Sequence, residues 1–263
     1  MFKHKRLIIA VVILGVLIVS LANFFSGKYV IPVLMYHSID LNPQKEDRLT
    51  VPPEVFERQM RFLKEHNYNV ITLEEAADII KNKRKAPAGA IVITFDDGYK
   101  NNYTYAFPIL KKYNFPATVF VIINEMNDPA GVCLSWDDIS AMQASGLITI
   151  GSHTFTHPLL TELTSQERIK NEIAGSKIAL EEKLGREVNA FCYPAGRFNE
   201  KIRQVVIDAG YQVAVATNPG KKSSDDDIFA FKRLRISRNC DNLFVFWVET
   251  SGYYNFMREI RHK

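Results

Sequence analysis

The stretch Ile91-Val92-Ile93-Thr94-Phe95-Asp96-Asp97-Gly98-Tyr99 limits what this chain can become more than any other. An apolar, β-branched run suited to a buried strand stops abruptly at two adjacent carboxylates and a glycine. Barrels and open α/β sheets present their chemistry at such strand ends. Carboxylates there are costly unless they are paired or bind a metal. A complement lies further on, in Gly151-Ser152-His153-Thr154-Phe155-Thr156-His157-Pro158. Two histidines four apart can share one face of a helical turn and hold one ion. Asp97, His153 and His157 would supply three protein ligands and leave a fourth position for water, as in hydrolytic rather than structural metal sites. Asp96 is then free to act as a base. Taken alone, Asp-Asp-Gly reads as a turn and the histidine pair as a capped loop. Both motifs, however, follow β-like runs, Ile91 to Phe95 and Leu147 to Gly151, and a parallel sheet brings them to one edge.

The N-terminus carries the topological signal. After Lys3-His4-Lys5-Arg6, the run from Leu7 to Phe25 has no charge and is long enough to span a bilayer, with its basic flank in the cytoplasm. Residues 1–27 are therefore expected to form a signal anchor, with 28–263 as one catalytic domain outside the cell membrane. Ser20-Leu21-Ala22 has the small residues of a signal-peptidase site, so a cleaved signal peptide and a secreted product is the alternative. Of the formal charge of +4, Lys3, Lys5 and Arg6 supply three, which leaves the remainder near neutral and gives no argument for nucleic acid. Cys133, Cys192 and Cys240 show no C-x-x-C spacing and read as buried thiols.

Along the chain, strand-like and helix-like segments alternate. Val33 to Tyr36 opens as a strand ending at His37, and Leu41 to Val51 reads as a loop. Helices are expected over Glu54 to His66 and from Thr72, capped with Glu75, to about Lys83. Lys81 to Lys85 reads as the solvated end of that helix. Beyond the acidic strand come helix Asn101 to Tyr113, strand Ala117 to Ile123, a helix capped by Ser135, the histidine strand, helix Thr164 to Leu184, strand Asn189 to Tyr193, helix Asn199 to Ala209, and strands Tyr211 to Ala216 and Phe231 to Ser237. About seven strands, mostly separated by helices, indicate an α/β barrel in one domain of this length.

Thr94-Phe95-Asp96-Asp97-Gly98-Tyr99 and Ser152-His153-Thr154-Phe155-Thr156-His157-Pro158 resemble the first two signature motifs of the polysaccharide deacetylases, the NodB-homology or carbohydrate esterase family four enzymes. The resemblance covers about residues 31 to 240. It implies a distorted (β/α) barrel of about seven parallel strands. It also implies a divalent metal, usually Zn2+, on Asp97, His153 and His157, with Asp96 as general base. Phe191-Cys192-Tyr193-Pro194-Ala195-Gly196 resembles the third motif, in which the N–H after the proline helps hold the oxyanion; Tyr193, Pro194 and Ala195 are therefore oxyanion or substrate residues. The family's Arg three before the proline is Phe191 here, which leaves open what pairs with Asp96. Arg235 and Arg238 are candidates, weighed against a solvated basic edge.

Amide hydrolysis also needs an acid to protonate the departing amine, and an imidazole suits that task. The family's C-terminal Leu-x-His motif is absent. His37, at the end of the first strand, resembles the histidine of the branch acting on poly-β-1,6-N-acetylglucosamine and is assigned as the acid. Tyr99, Trp136 and Tyr193 are candidates for stacking on sugar rings, against roles as core or rim aromatics. The expected activity is metal-dependent N-deacetylation of an extracellular polysaccharide. Peptidoglycan, chitooligosaccharide and acetyl-xylan are the alternative substrates. A catalytically dead, anchored carbohydrate-binding module is the alternative of another class. A metallopeptidase fits poorly, because His153 to His157 lacks the Glu of H-E-x-x-H.

Overall fold

The computed structural model describes residues 29–41, 48–217, 227–237 and 241–254, together with the isolated positions 15 and 20. The expected anchor, apart from those two positions, lies outside the described residues, as do Arg238 and Cys240. Among the described residues no helix is long and apolar enough to cross a membrane.

The alternation of strand and helix patterns produces eight parallel strands: β1 (Val33–Tyr36), β2 (Asn69–Val70), β3 (Ala90–Phe95), β4 (Ala117–Val121), β5 (Ile148–Ser152), β6 (Ala190–Cys192), β7 (Val213–Ala216) and β8 (Phe231–Arg235). Their order is β1-β8-β7-β6-β5-β4-β3-β2, and β1 also pairs with β3 from Val33↔Val92 to Tyr36↔Phe95. That extra pairing closes a ring of seven strands. The two-residue β2 lies outside it, extending only the start of β3 through Asn69↔Ala90. The ring is uneven: β4 and β5 share five registered pairs, whereas β5 and β6 share one, Ser152↔Phe191.

Strands buried on both faces explain the near-continuous apolar runs. Val33, Val92, Phe120, Cys192, Val215 and Phe231 form one cluster facing the barrel axis. Leu34, Tyr36, Ile93, Phe95, Val119 and Phe191 point outward into a larger cluster beneath the helices. Helix α1 (Pro53–Glu65) buries Val55, Phe56, Met60 and Leu63 in that outer layer. Helix α2 (Leu73–Lys81) packs differently: its Leu73, Ala76, Ala77 and Ile79 join the axial cluster. It thereby covers the barrel end where the strands begin. Its N-cap is Thr72, whose hydroxyl accepts the Glu75 N–H at 3.1 Å.

Two expected helices are interrupted. Asn101 to Tyr113 becomes a π-turn (Asn102–Ala106) followed by α3 (Phe107–Tyr113), because Pro108 has no N–H for a regular ladder. Helix α4 (Trp136–Ala144) carries a full capping box between Ser135 and Asp138. Thr164 to Leu184 divides into α5 (Gln166–Lys170), a π-turn (Asn171–Gly175) and α6 (Ser176–Leu184), the last closed by left-handed Gly185. Helices α7 (Glu200–Asp208) and α8 (Leu243–Thr250) complete the outer layer.

Candidate active site

Parallel strands deliver their C-terminal ends to one mouth, and the polar residues collect there. Asp96 follows β3 and is buried. Its neighbour Asp97 takes a left-handed backbone, φ 69°, as do Thr154 (φ 70°), His157 (φ 54°) and Ala195 (φ 53°) in the two facing loops. Non-glycine residues in this region are strained, and such strain gathers at functional sites.

The histidine loop is not the helical turn that the four-residue spacing suggested. His153 follows β5 directly, and left-handed turns at Thr154 and His157 fold the chain back instead. The two imidazoles still converge, with Nε2 atoms 3.2 Å apart and ring centres 4.5 Å apart. Asp97 Oδ1 lies 3.6 Å from His153 Nε2 and 3.9 Å from His157 Nε2. The His153 Nδ1–H donates to the Cys192 carbonyl at 2.8 Å. A carbonyl can only accept, so this bond fixes the tautomer and leaves the Nε2 lone pair facing the other two groups. Burial drives His153 down to about 3 and also lowers His157, so both rings are neutral. Burial, then the charge of Asp96, raises the Asp97 carboxyl. Two neutral imidazoles and a carboxylate so placed fit a divalent cation, which would relieve the crowding of lone pairs.

Asp96, His153 and Cys192 form a second close trio. Asp96 is already engaged, however. Arg233, also buried, donates Nη1–H to Asp96 Oδ1 at 2.6 Å and Nη2–H to Oδ2 at 2.7 Å. Its Nη1 reaches Thr94 Oγ1 at 3.2 Å and its Nη2 reaches Cys192 Sγ at 3.1 Å. A cation at that trio would sit against the guanidinium. The Cys192 thiol is pushed well up by burial and stays protonated, so the Asp97 trio is the better metal centre. Burial raises Asp96 as well, but the charge and hydrogen bonds of Arg233 outweigh it and hold the carboxyl far below its usual range.

The partner of Asp96 that the sequence left open is Arg233, and not the candidate Arg235; the other candidate, Arg238, lies outside the described residues. On β8, Phe231 and Arg233 alternate onto the axial face, whereas Arg235 is exposed at the strand end. The basic run suggested a solvated edge, but β8 has β7 on one side and β1 on the other, so it is no edge. Counting alternate residues from Phe231 was the signal that could have found Arg233.

The remaining candidates separate. His37, following β1, brings Nε2 to 4.0 Å from Asp96 Oδ2, since β1 and β3 are paired neighbours. Its Nδ1 is buried with no hydrogen-bond partner among the described residues. Ala195 is exposed at the crest of a tight turn, and its N–H carries neither of the turn's bonds, which run from Gly196 to Tyr193 and from Arg197 to Pro194. Pro194 before it and Gly196 after it are buried. The Tyr193 ring cannot stack on a sugar: it is fully buried, stacked on Phe198 at 4.6 Å, with its hydroxyl donating to the Phe229 carbonyl. Trp136 is half-buried at the start of α4, packed against the outer cluster with Lys183 Nζ 5.8 Å from its ring centre, and no described contact ties it to Asp96, Asp97 or the two histidines. Tyr99 is half-buried where its backbone bridges Cys133.

Glu172 escaped the sequence reading altogether. It lies in the second π-turn, buried, and its carboxylate accepts the N–H groups of Phe155 and Thr156 and the Thr156 hydroxyl at 2.6–3.0 Å. It thus pins the loop between the two histidines, and no spacing in the sequence announces it.

The sequence profile of the polysaccharide deacetylase family matches residues 83–214, half of the chain, and so takes in both motifs. The chain belongs to the polysaccharide deacetylases. The deacetylase is 36% identical over 207 residues to YxkH of Bacillus subtilis, a protein assigned by name to this family, covering 79% of this chain and 71% of that one. It is 28% identical over 200 residues to a poly-β-1,6-N-acetyl-D-glucosamine N-deacetylase of Staphylococcus epidermidis, covering 72% and 69%. Among solved structures it resembles a Streptococcus pyogenes deacetylase in complex with acetate. There the TM-score is 0.75 at 30% identity, over 82% of this chain and 97% of that one. As an enzyme of this family, the deacetylase hydrolyses acetyl groups from a polysaccharide.

Proposed function

We propose that this deacetylase removes N-acetyl groups from an extracellular N-acetylglucosamine polymer, with the β-1,6-linked polymer favoured, and that it works with a divalent metal, Zn2+ being the best fit. The observation that carries this reading is His37. It follows β1 directly and brings Nε2 to 4.0 Å from Asp96 Oδ2, where an acid opposite the base is needed. The Staphylococcus epidermidis relative, named for the β-1,6-linked polymer, supports the linkage. The uncharged run from Leu7 to Phe25 supports attachment to the cell membrane with the catalytic domain outside.

Asp97, His153 and His157 would hold the metal, which supplies Lewis-acid polarisation of the acetyl carbonyl and of water. Arg233 holds Asp96 in its ionised form and takes one lone pair on each oxygen, so the carboxylate has lone pairs left to accept the proton of the attacking water. Arg233 fixes that carboxylate by holding both of its oxygens. The exposed Ala195 N–H donates to the developing oxyanion. His37 delivers a proton to the glucosamine nitrogen as the C–N bond breaks, giving acetate and a free amine.

Acetate release from defined β-1,6- and β-1,4-linked N-acetylglucosamine oligomers and from peptidoglycan, with and without chelator and added zinc, tests the proposal. The expected result is zinc-dependent release that is fastest on the β-1,6 oligomer. Chelator-resistant activity would remove the metal, and a preference for β-1,4 chains or peptidoglycan would overturn the linkage.

A further inference from the structure

The end of the barrel opposite the mouth is also built for contact. A cavity of about 1170 Å3 opens where the strands begin, bounded by Tyr29 ahead of β1, Gly89 ahead of β3 and Trp247 on α8. Lys81, Lys83 and Lys85 stand on its rim, all exposed, and among the described residues none of their ammonium groups is in an ion pair or hydrogen bond. Arg84, between them, is neutralised by Asp78. The α2 dipole accounts for Lys81 in its last turn but not for Lys83 and Lys85 beyond it.

Helix α8 adds an apolar surface to this basic rim. It buries Phe246 and Thr250 but leaves Phe244 66% and Trp247 47% exposed, their rings 5.8 Å apart. An exposed Trp–Phe pair beside unpaired lysines is the pattern of a membrane-interface surface, with the aromatic rings at headgroup level and the lysines on phosphates. The chain's route agrees. The Val30 N–H donates to the Gly252 carbonyl at 3.0 Å, and Tyr29 meets Tyr253 edge to face. The segment after α8 is thus tied to Tyr29 and Val30, the first described residues beyond the apolar run, which ends at Phe25.

We propose that this face seats on an anionic phospholipid surface through Lys81, Lys83, Lys85, Phe244 and Trp247, and so holds the catalytic mouth turned away from the membrane. The proposal builds on membrane attachment through Leu7 to Phe25 for its orientation, but the charge and the aromatic pair carry it separately.

The test uses the full chain with vesicles of brominated phosphatidylcholine, with or without phosphatidylglycerol. Flotation on pure phosphatidylcholine reads the N-terminal attachment. Quenching of tryptophan fluorescence, wild type minus Trp247→Phe, reads the docking. The expected result is Trp247 quenching only with phosphatidylglycerol. In the Lys81→Gln/Lys83→Gln/Lys85→Gln variant that quenching should be lost, through a roughly hundredfold lower ratio of docked to undocked protein, while acetate release from a soluble oligomer stays unchanged. Equal quenching on both vesicle types, or none on either, overturns the proposal whether or not the chain floats. So does a Trp247 response to soluble polyglycerolphosphate in place of vesicles, which would assign the face to an anionic polymer.

Discussion

Arg233 and Asp96 meet through two parallel hydrogen bonds of 2.6 and 2.7 Å although 137 residues separate them in the chain. Both groups are buried, so neither can turn to water for compensation if the other is removed. Arg233→Ala is expected to cost about 3–5 kcal/mol of stability. Arg233→Lys keeps the charge but loses the fork, and with it the second bond. Urea unfolding measures the first effect and kcat/KM the second. An unchanged urea midpoint in Arg233→Ala would contradict the pairing.

Asp96→Asn separates chemistry from metal binding. The variant should retain one zinc per chain by metal analysis, because Asp97, His153 and His157 are untouched, yet lose on the order of 10²–10⁴-fold in kcat. His153→Ala should lose zinc and turnover together. Equal zinc loss in both variants would place Asp96 among the ligands.

Glu172→Gln weakens three hydrogen bonds that hold Phe155 and Thr156 between the histidines. Partners that orient metal ligands are commonly worth 10–100-fold in metal affinity. Competition with a chromophoric chelator should show a loss of that order, and saturating zinc should restore kcat. Loss of kcat that zinc cannot restore would mean that Glu172 supports the fold and not the loop.

Chelation should silence the enzyme without unfolding it. The ring closes through backbone pairing of β1 with β3 and a packed axial cluster, neither of which involves the metal trio. Far-ultraviolet circular dichroism of the apoprotein should match that of the zinc-loaded form, and added zinc should recover acetate release. An unfolded apoprotein would show the metal to be structural.

Asp138 supplies a pH-dependent share of stability away from the site. Burial raises its carboxyl, but hydrogen bonds from Lys100 at 2.5 Å and from the Ser135 N–H and hydroxyl outweigh this and lower it. A depressed carboxyl contributes above its unfolded pKa, about 3.9, and the contribution fades as the pH falls through the folded value. Asp138→Asn should therefore cost about 1 kcal/mol at pH 7, the scale of one hydrogen bond. The gap to wild type should begin to narrow below about pH 4 and close as the pH falls through the folded value. A gap independent of pH would show that the carboxylate's charge plays no part.

Much of this architecture was legible along the chain because it is local. Apolar runs on Ile91 to Phe95 and Ala117 to Val121 could only be strands buried on both faces, and Ser135 and Gly185 marked helix ends through their own backbone chemistry. Asp96-Asp97 and His153 to His157 announced themselves as carboxylates and imidazoles at strand ends, where the cost of burying charge demands a purpose.

What lies between distant segments was decided only when the ring closed. Closure turned β8 from an apparent edge into an interior strand, sent Arg233 and not Arg235 to Asp96, and set His37 beside that carboxylate through the β1–β3 pairing. It also buried Tyr193 away from any sugar and put Glu172, in a π-turn that helical spacing did not reveal, beneath the histidine loop. The physical reason is the same throughout: a residue's own chemistry and periodicity act over a few positions. Which side chain answers a buried charge depends on strand order and register, and those are properties of the closed barrel.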